Sequence, residues 1–182
     1  MFGRIDPSLS IFIVLLSFAA AAVDVARSKI PNLLTLPALI LGLVLSIALS
    51  GWAGAQDSLL GVGVTFLSYI WIYALGWLGA GDVKLLMALG ALGGWRYGLD
   101  VAVLSIGLGG LIALVILLVK RKLPGFVRRI YRFVLSRSIR GLEPESLQVD
   151  ESEKFPFGVA IGIAAVWNLT GYPLQALGWR LW

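Results

Sequence analysis

Apolar residues in this chain come in runs of membrane-spanning length. Leu9 to Val23 is almost purely apolar, and comparable runs recur along the 182 residues. An apolar run of about 18 residues or more is long enough to cross a bilayer as a helix. Hydrophobic residues make up 59% of the chain and charged residues 14%, whereas a soluble domain carries roughly a quarter charged residues. The pattern predicts an all-α, polytopic membrane protein, one domain over residues 1–182 with about six transmembrane helices. The spans fall at about 8–26, 33–50, 59–78, 82–95, 99–119 and 155–172. The fourth is short and Gly-rich, which suits a tilted helix sheltered by its neighbours. Pro31 suits the first turn of the second span, and Pro37 one turn deeper predicts a kink. Gly51 to Ser58 reads as a loop and Trp95-Arg96-Tyr97-Gly98 as a tight turn.

Charge sets the orientation. With the N-terminus outside, the inner side holds Arg27, Lys29, Lys84 and nine basic residues of the 120–154 segment, twelve of the fifteen Lys and Arg. Only Arg4, Arg96 and Arg180 then lie outside. The positive-inside rule therefore predicts both termini outside and the 120–154 loop in the cytoplasm. A cleaved signal peptide over residues 1–22 fits less well, because Arg27 and Lys29 follow the apolar run and would have to be exported. Within the loop, Phe126, Ile130, Phe133 and Val134 share one helical face while the arginines fall largely elsewhere. This predicts a cationic amphipathic helix on the anionic lipids of the inner leaflet, and no nucleic-acid partner. Glu143 to Glu153 carries five acids and little apolar surface, a composition expected of a flexible stretch.

Few residues are left to do chemistry. The sequence has no cysteine and no histidine, which removes thiolate metal sites, imidazole acid–base catalysis and most transition-metal chemistry. No metal and no cofactor is expected. Two carboxylates stand out, Asp24 at the end of the first run and Asp82 after Gly79-Ala80-Gly81. A carboxylate beside hydrocarbon is costly and is a functional-site candidate by default. Each has a bland reading: Asp24 as an ordinary helix end, Asp82 as an N-cap with Gly79 and Gly81 supplying a turn. The orientation nevertheless places both on one membrane face. There two carboxylates can share a proton and activate water, as in an aspartic protease.

Three strings carry a resemblance: Asp24 followed by Ile30-Pro31-Asn32, then Gly79-Ala80-Gly81-Asp82-Val83-Lys84-Leu85, then Phe155-Pro156-Phe157-Gly158. In this order and in membrane context the chain resembles the type IV prepilin peptidases, a family of GxGD membrane aspartic proteases. The resemblance implies that Asp24 and Asp82 are the catalytic pair, acting on the short basic leader of prepilin-like proteins at the cytoplasmic face of the inner membrane. Gly79, Gly81, Lys84, Pro156, Phe157 and Gly158 are then site-shaping residues. The two GxGD glycines are expected to reach positive φ and to admit an extended substrate strand. Gly158 and Gly162 read equally as helix-packing residues. Large bacterial members carry a four-cysteine zinc segment and N-methylate the trimmed pilin. The chain lacks cysteine and looks like the compact members, such as those of tight-adherence pilus systems or archaeal preflagellin peptidases, so methyl transfer is not expected. The rival class is a small proton- or cation-coupled transporter or channel subunit. That reading predicts carboxylates near the bilayer midplane, whereas Asp24 and Asp82 lie at the ends of runs.

Overall fold

The computed structural model describes residues 5–27, 29–121, 123–125, 128 and 156–170. Among them there are four long helices and no strand: α1 (Pro7–Arg27), α2 (Asn32–Ala74), α3 (Ala80–Val119) and α4 (Phe157–Leu169). The first three are long and apolar enough to cross a membrane. Leu33, Phe18, Trp52, Trp71 and Val119 are among the large apolar side chains turned outward, as a lipid-facing surface requires. The start of α1 is fixed by Asp6, whose Oδ1 accepts from Ser8 N–H at 2.9 Å and from Ser8 Oγ at 2.5 Å. These bonds hold the Asp6 carboxyl below the ordinary aspartate value.

α2 and α3 are each folded back on themselves. A straight 43-residue helix would extend about 65 Å, twice the hydrocarbon thickness. The backbone instead leaves helical geometry at one residue in each, Gly51 (φ 59°, ψ −138°) and Gly94 (φ 80°, ψ 179°). Across these points, residues eight apart come into contact. A Cβ on Gly54 would overlap the Ser46 carbonyl oxygen, and one on Gly98 would lie 3.1 Å from the Gly90 Cα. Eight residues along an unbroken helix are about 12 Å apart, so the chain reverses at each glycine. Both reversals correct the sequence expectation: Trp52 to Ser58 and Trp95 to Gly98 are helical, and each turn shrinks to a single glycine. Pro37 lies inside the first arm of α2, where the backbone keeps helical φ and ψ.

A break inside a helix orphans backbone groups, and here α2 supplies their partners. The Ala91 carbonyl, which Trp95 N–H would take in a continuous helix, accepts from Ser58 Oγ at 2.7 Å and Ser46 Oγ at 3.1 Å. Trp95 N–H instead points to Asp57 Oδ1 at 3.4 Å. The arm of α3 from Ala80 to Gly93 runs through the centre of the molecule. Leu85, Leu86, Ala88, Leu89 and Ala91 are fully buried. This is the short Gly-rich span that the sequence expects to be sheltered. Close packing of small residues encloses it: a Cβ on Gly42 would lie 3.0 Å from Ala91 Cβ, and one on Gly90 would lie 2.7 Å from the Gly61 carbonyl carbon. α4 packs against both α1 and α3. The expected amphipathic helix at 126–135 and the acidic stretch at 143–153 lie outside the described residues, apart from Arg128.

Candidate active site

All three strings of the sequence meet at one end of the bundle. Asp24 sits in the last turn of α1 and is 5% exposed, so it is not a helix end opening into water. The chain then crosses to α2 through Ile30 and Pro31. Ile30 is buried and forms the common wall of the site. Its backbone oxygen would lie 2.7 Å from a Cβ on Gly81, and its Cδ1 2.9 Å from a Cβ on Gly158. One isoleucine thus touches the first turns of α3 and α4 and needs a glycine at both contacts.

Asp82 is 9% exposed and lies in the first turn of α3. Gly79 precedes the helix in extended geometry (φ −79°, ψ 148°), and Asp82 Oδ2 reaches back to accept the Gly79 N–H at 3.1 Å. Asp82 is therefore three residues inside the helix start rather than its N-cap, and Gly79 holds the N-cap position. The expectation that Gly79 and Gly81 use positive φ is also corrected. Positive φ occurs at Gly76 (77°), just upstream, where the chain turns out of α2. Gly81 is glycine because Ile30 leaves no room for a side chain, and a Cβ on Gly79 would stand 3.1 Å from Asp82 Oδ2.

The third string completes the site. Pro156 precedes α4, and the Gly158 N–H, free in the first helical turn, donates to Asp24 Oδ2 at 2.7 Å. A Cβ on Gly158 would lie 2.8 Å from that same oxygen, whereas one on Gly162 would lie 3.1 Å from the Ser17 carbonyl oxygen. Gly158 thus abuts the Asp24 carboxylate, whereas Gly162 packs against the backbone of α1. The two carboxylates, 58 positions apart in the chain, are brought to the same wall: Ile30 contacts Gly81, next to Asp82, and Gly158, whose N–H holds Asp24. Each has one oxygen held by a backbone N–H. Asp82 Oδ1 is buried without a hydrogen-bond partner among the described residues. Lys84 Nζ donates to Asn32 Oδ1 at 2.8 Å, tying the fifth residue of α3 to the first residue of α2.

Three contributors carried no assigned role in the sequence reading. Ile30 and Asn32 stand in the quoted string, but their partners could not be read from it. Tyr69 lies in another run, fully buried, with its ring packed against Phe157. Its hydroxyl pairs with Ser105 Oγ at 2.6 Å and the Ala102 carbonyl at 3.1 Å. A hydroxylated aromatic inside an otherwise apolar run was the available signal. Among the described residues, no three His, Cys, Asp or Glu side chains gather as a metal site would require.

The sequence profile of the type IV leader peptidase family matches residues 11–114, a stretch that contains both aspartates. The prepilin leader peptidase/N-methyltransferase of Stutzerimonas stutzeri is 38% identical over 85 residues, 43% of this chain and 29% of that protein. The prepilin leader peptidase/N-methyltransferase of Myxococcus xanthus is 31% identical over 116 residues, 60% of this chain and 34% of that protein. The chain spans about a third of the length of these curated relatives. No solved structure matches it.

Proposed function

Because this chain belongs to the type IV leader peptidase family, we propose that it is a membrane aspartic endopeptidase. Its substrates are prepilin-like proteins, from which it removes the short basic leader at the cytoplasmic face of the cell membrane. The observation that carries this reading is the pair of buried carboxylates, brought from α1 and α3 to one end of the bundle and each held by a backbone N–H. Hydrolysis of a peptide bond by such a pair requires one ionised and one protonated carboxyl. The first takes a proton from the attacking water while the second donates one to the scissile carbonyl oxygen. Asp24 Oδ2 already accepts a hydrogen bond from Gly158, which suits an ionised carboxylate, and the unpartnered Oδ1 of Asp82 suits the proton-bearing partner. This chemistry needs neither metal nor nucleotide. Co-expression with a candidate prepilin, followed by leader removal on a gel, tests the activity.

The finer reading has its own supports. Six crossings follow if the reversals at Gly51 and Gly94 both lie at the outer surface. The distribution of basic residues supports a cytoplasmic active site and two outer termini. We also propose leader cleavage without methyl transfer by these 182 residues. The 120–154 segment has no Gly-rich strand-to-helix turn for a Rossmann-type site, and the sequence has no cysteine with which to build a zinc-stabilised lobe. Mass spectrometry of a pilin processed by the purified protein with S-adenosylmethionine should show no added methyl group. A methylated N-terminus would overturn this part of the reading.

A further inference from the structure

The hydrogen bond from Gly158 to Asp24 depends on how the first turn of α4 is seated, and two of the residues that seat it, Gly109 and Tyr69, lie outside all three strings. The Phe157 ring lies beside Gly109, in the second arm of α3. A Cβ on Gly109 would overlap that ring, 2.8 Å from Cδ2 and 3.1 Å from Cζ. Phe157 also packs against the Tyr69 ring, at 6.1 Å between centroids and 58° between planes. Tyr69 cannot shift freely, because its hydroxyl is fixed to Ser105 and the Ala102 carbonyl on α3. A continuous line of contacts therefore runs from α3 through Tyr69 to Phe157, and one residue further to the N–H that holds the Asp24 carboxylate.

We infer that Gly109 and Tyr69 are positioning residues for the Asp24–Asp82 pair, acting through Phe157 to aim the Gly158 N–H at Asp24. The inference rests on the aspartic peptidase reading above. The Gly109 gap admits the ring, the Tyr69 ring stops it, and the α4 backbone follows. A displacement of about 1 Å at a catalytic group is enough to cost on the order of 10²-fold in rate. Neither residue reaches the substrate in this scheme, so the loss belongs to kcat rather than to KM.

A double-mutant cycle on the purified full-length protein tests this. Gly109→Ala and Phe157→Leu are made singly and together, and kcat and KM are measured on a leader-bearing prepilin alongside the thermal midpoint in detergent. Each single variant should lose about tenfold to 10²-fold in kcat with KM within about twofold of wild type. In the Phe157→Leu background the added methyl at Gly109 meets no ring, so Gly109→Ala should cost little more there. Tyr69→Phe keeps the ring and removes only its anchor; it should lower kcat less than Phe157→Leu. Should Gly109→Ala fail to fold, Phe157→Leu and Tyr69→Phe carry the test through the same kcat and KM split. Wild-type kcat in folded Gly109→Ala or Phe157→Leu, strictly additive losses, or a loss confined to KM would overturn the inference. Asp24→Asn, run in parallel, separates the two readings: if it cleaves like wild type, the catalytic pair itself is wrong, whatever the cycle shows.

Discussion

At the scale of single residues, the site is built from two carboxylates and the glycines that make room around them. Asp24 and Asp82 are each buried where burial is costly, and each has one oxygen satisfied by a backbone N–H. Replacement of either by Asn keeps the shape and removes the ionisable carboxyl. Both variants should stay folded and lose leader cleavage by at least about 10²-fold, the low end of what a positioned acid or base contributes. Wild-type processing by either one, read on a gel, would sink the pair. The glycines act by absence. A methyl on Gly81 would press on the Ile30 backbone oxygen at 2.7 Å, and Ile30 cannot retreat without disturbing Gly158 on its other side. Gly81→Ala should therefore destabilise the protein by about 1–3 kcal/mol and displace Asp82, lowering kcat by about tenfold or more. Gly63, where a Cβ meets nothing within 4 Å, provides the control. Gly63→Ala should leave activity and thermal midpoint unchanged or slightly raised, because alanine is the better helix former.

At the scale of elements, the two reversals govern how α2 and α3 fit together, and the two glycines that make them are not equivalent. Both have positive φ with ψ outside the left-handed helical region, a conformation essentially reserved for glycine, so alanine at either should cost on the order of 1–3 kcal/mol in backbone strain. At Gly51 nothing lies within 4 Å of a new Cβ, whereas at Gly94 the Cβ would collide with the Asp57 carboxylate. Gly94→Ala should therefore lower the thermal midpoint in detergent clearly more than Gly51→Ala. An equal effect would show that the contact with Asp57 has no structural weight. These reversals also mark how far the sequence could be read. The apolar runs located the helical arms, and glycine with polar residues announced a change of direction near 51 and near 94. The sharpness of each turn was not legible locally. The broken hydrogen bonds at Gly94 are taken up by Ser46, Asp57 and Ser58, between 36 and 48 positions upstream, and Trp52 to Ser58 looks like loop until α2 is seen packing on α3. The aspartates were legible because carboxylates are rare in such runs. Their backbone donors and the Ile30 wall were not, because contacts between distant segments leave no periodicity.

At the scale of the whole molecule, one arrangement reconciles the burial pattern with the charge pattern. Asp24, Ile30, Lys84 and Gly158 gather at one end, and the reversals at Gly51 and Gly94 occur where the chain has travelled to the other. Arg27, Lys29, Lys84, Lys120 and Arg121 follow α1, open α3 or follow α3, and all fall at the end that holds the aspartates, while Arg96 stands beside the Gly94 reversal. In a bilayer, positive charge is retained on the cytoplasmic side, so this distribution predicts that the site opens toward the cytoplasm, where a basic leader would be presented. The same argument predicts an outer N-terminus and an inner 120–154 segment. The natural sequence has no cysteine, so a single introduced thiol reports location without a background to subtract. Ser136→Cys should resist a membrane-impermeant maleimide in intact cells and react after the membrane is opened. Ser8→Cys, at the start of α1, should react in intact cells. The reverse pattern at these two positions would place the aspartate pair on the outer face, away from any cytoplasmic leader. The proposed function would then fail even if both carboxylates proved essential.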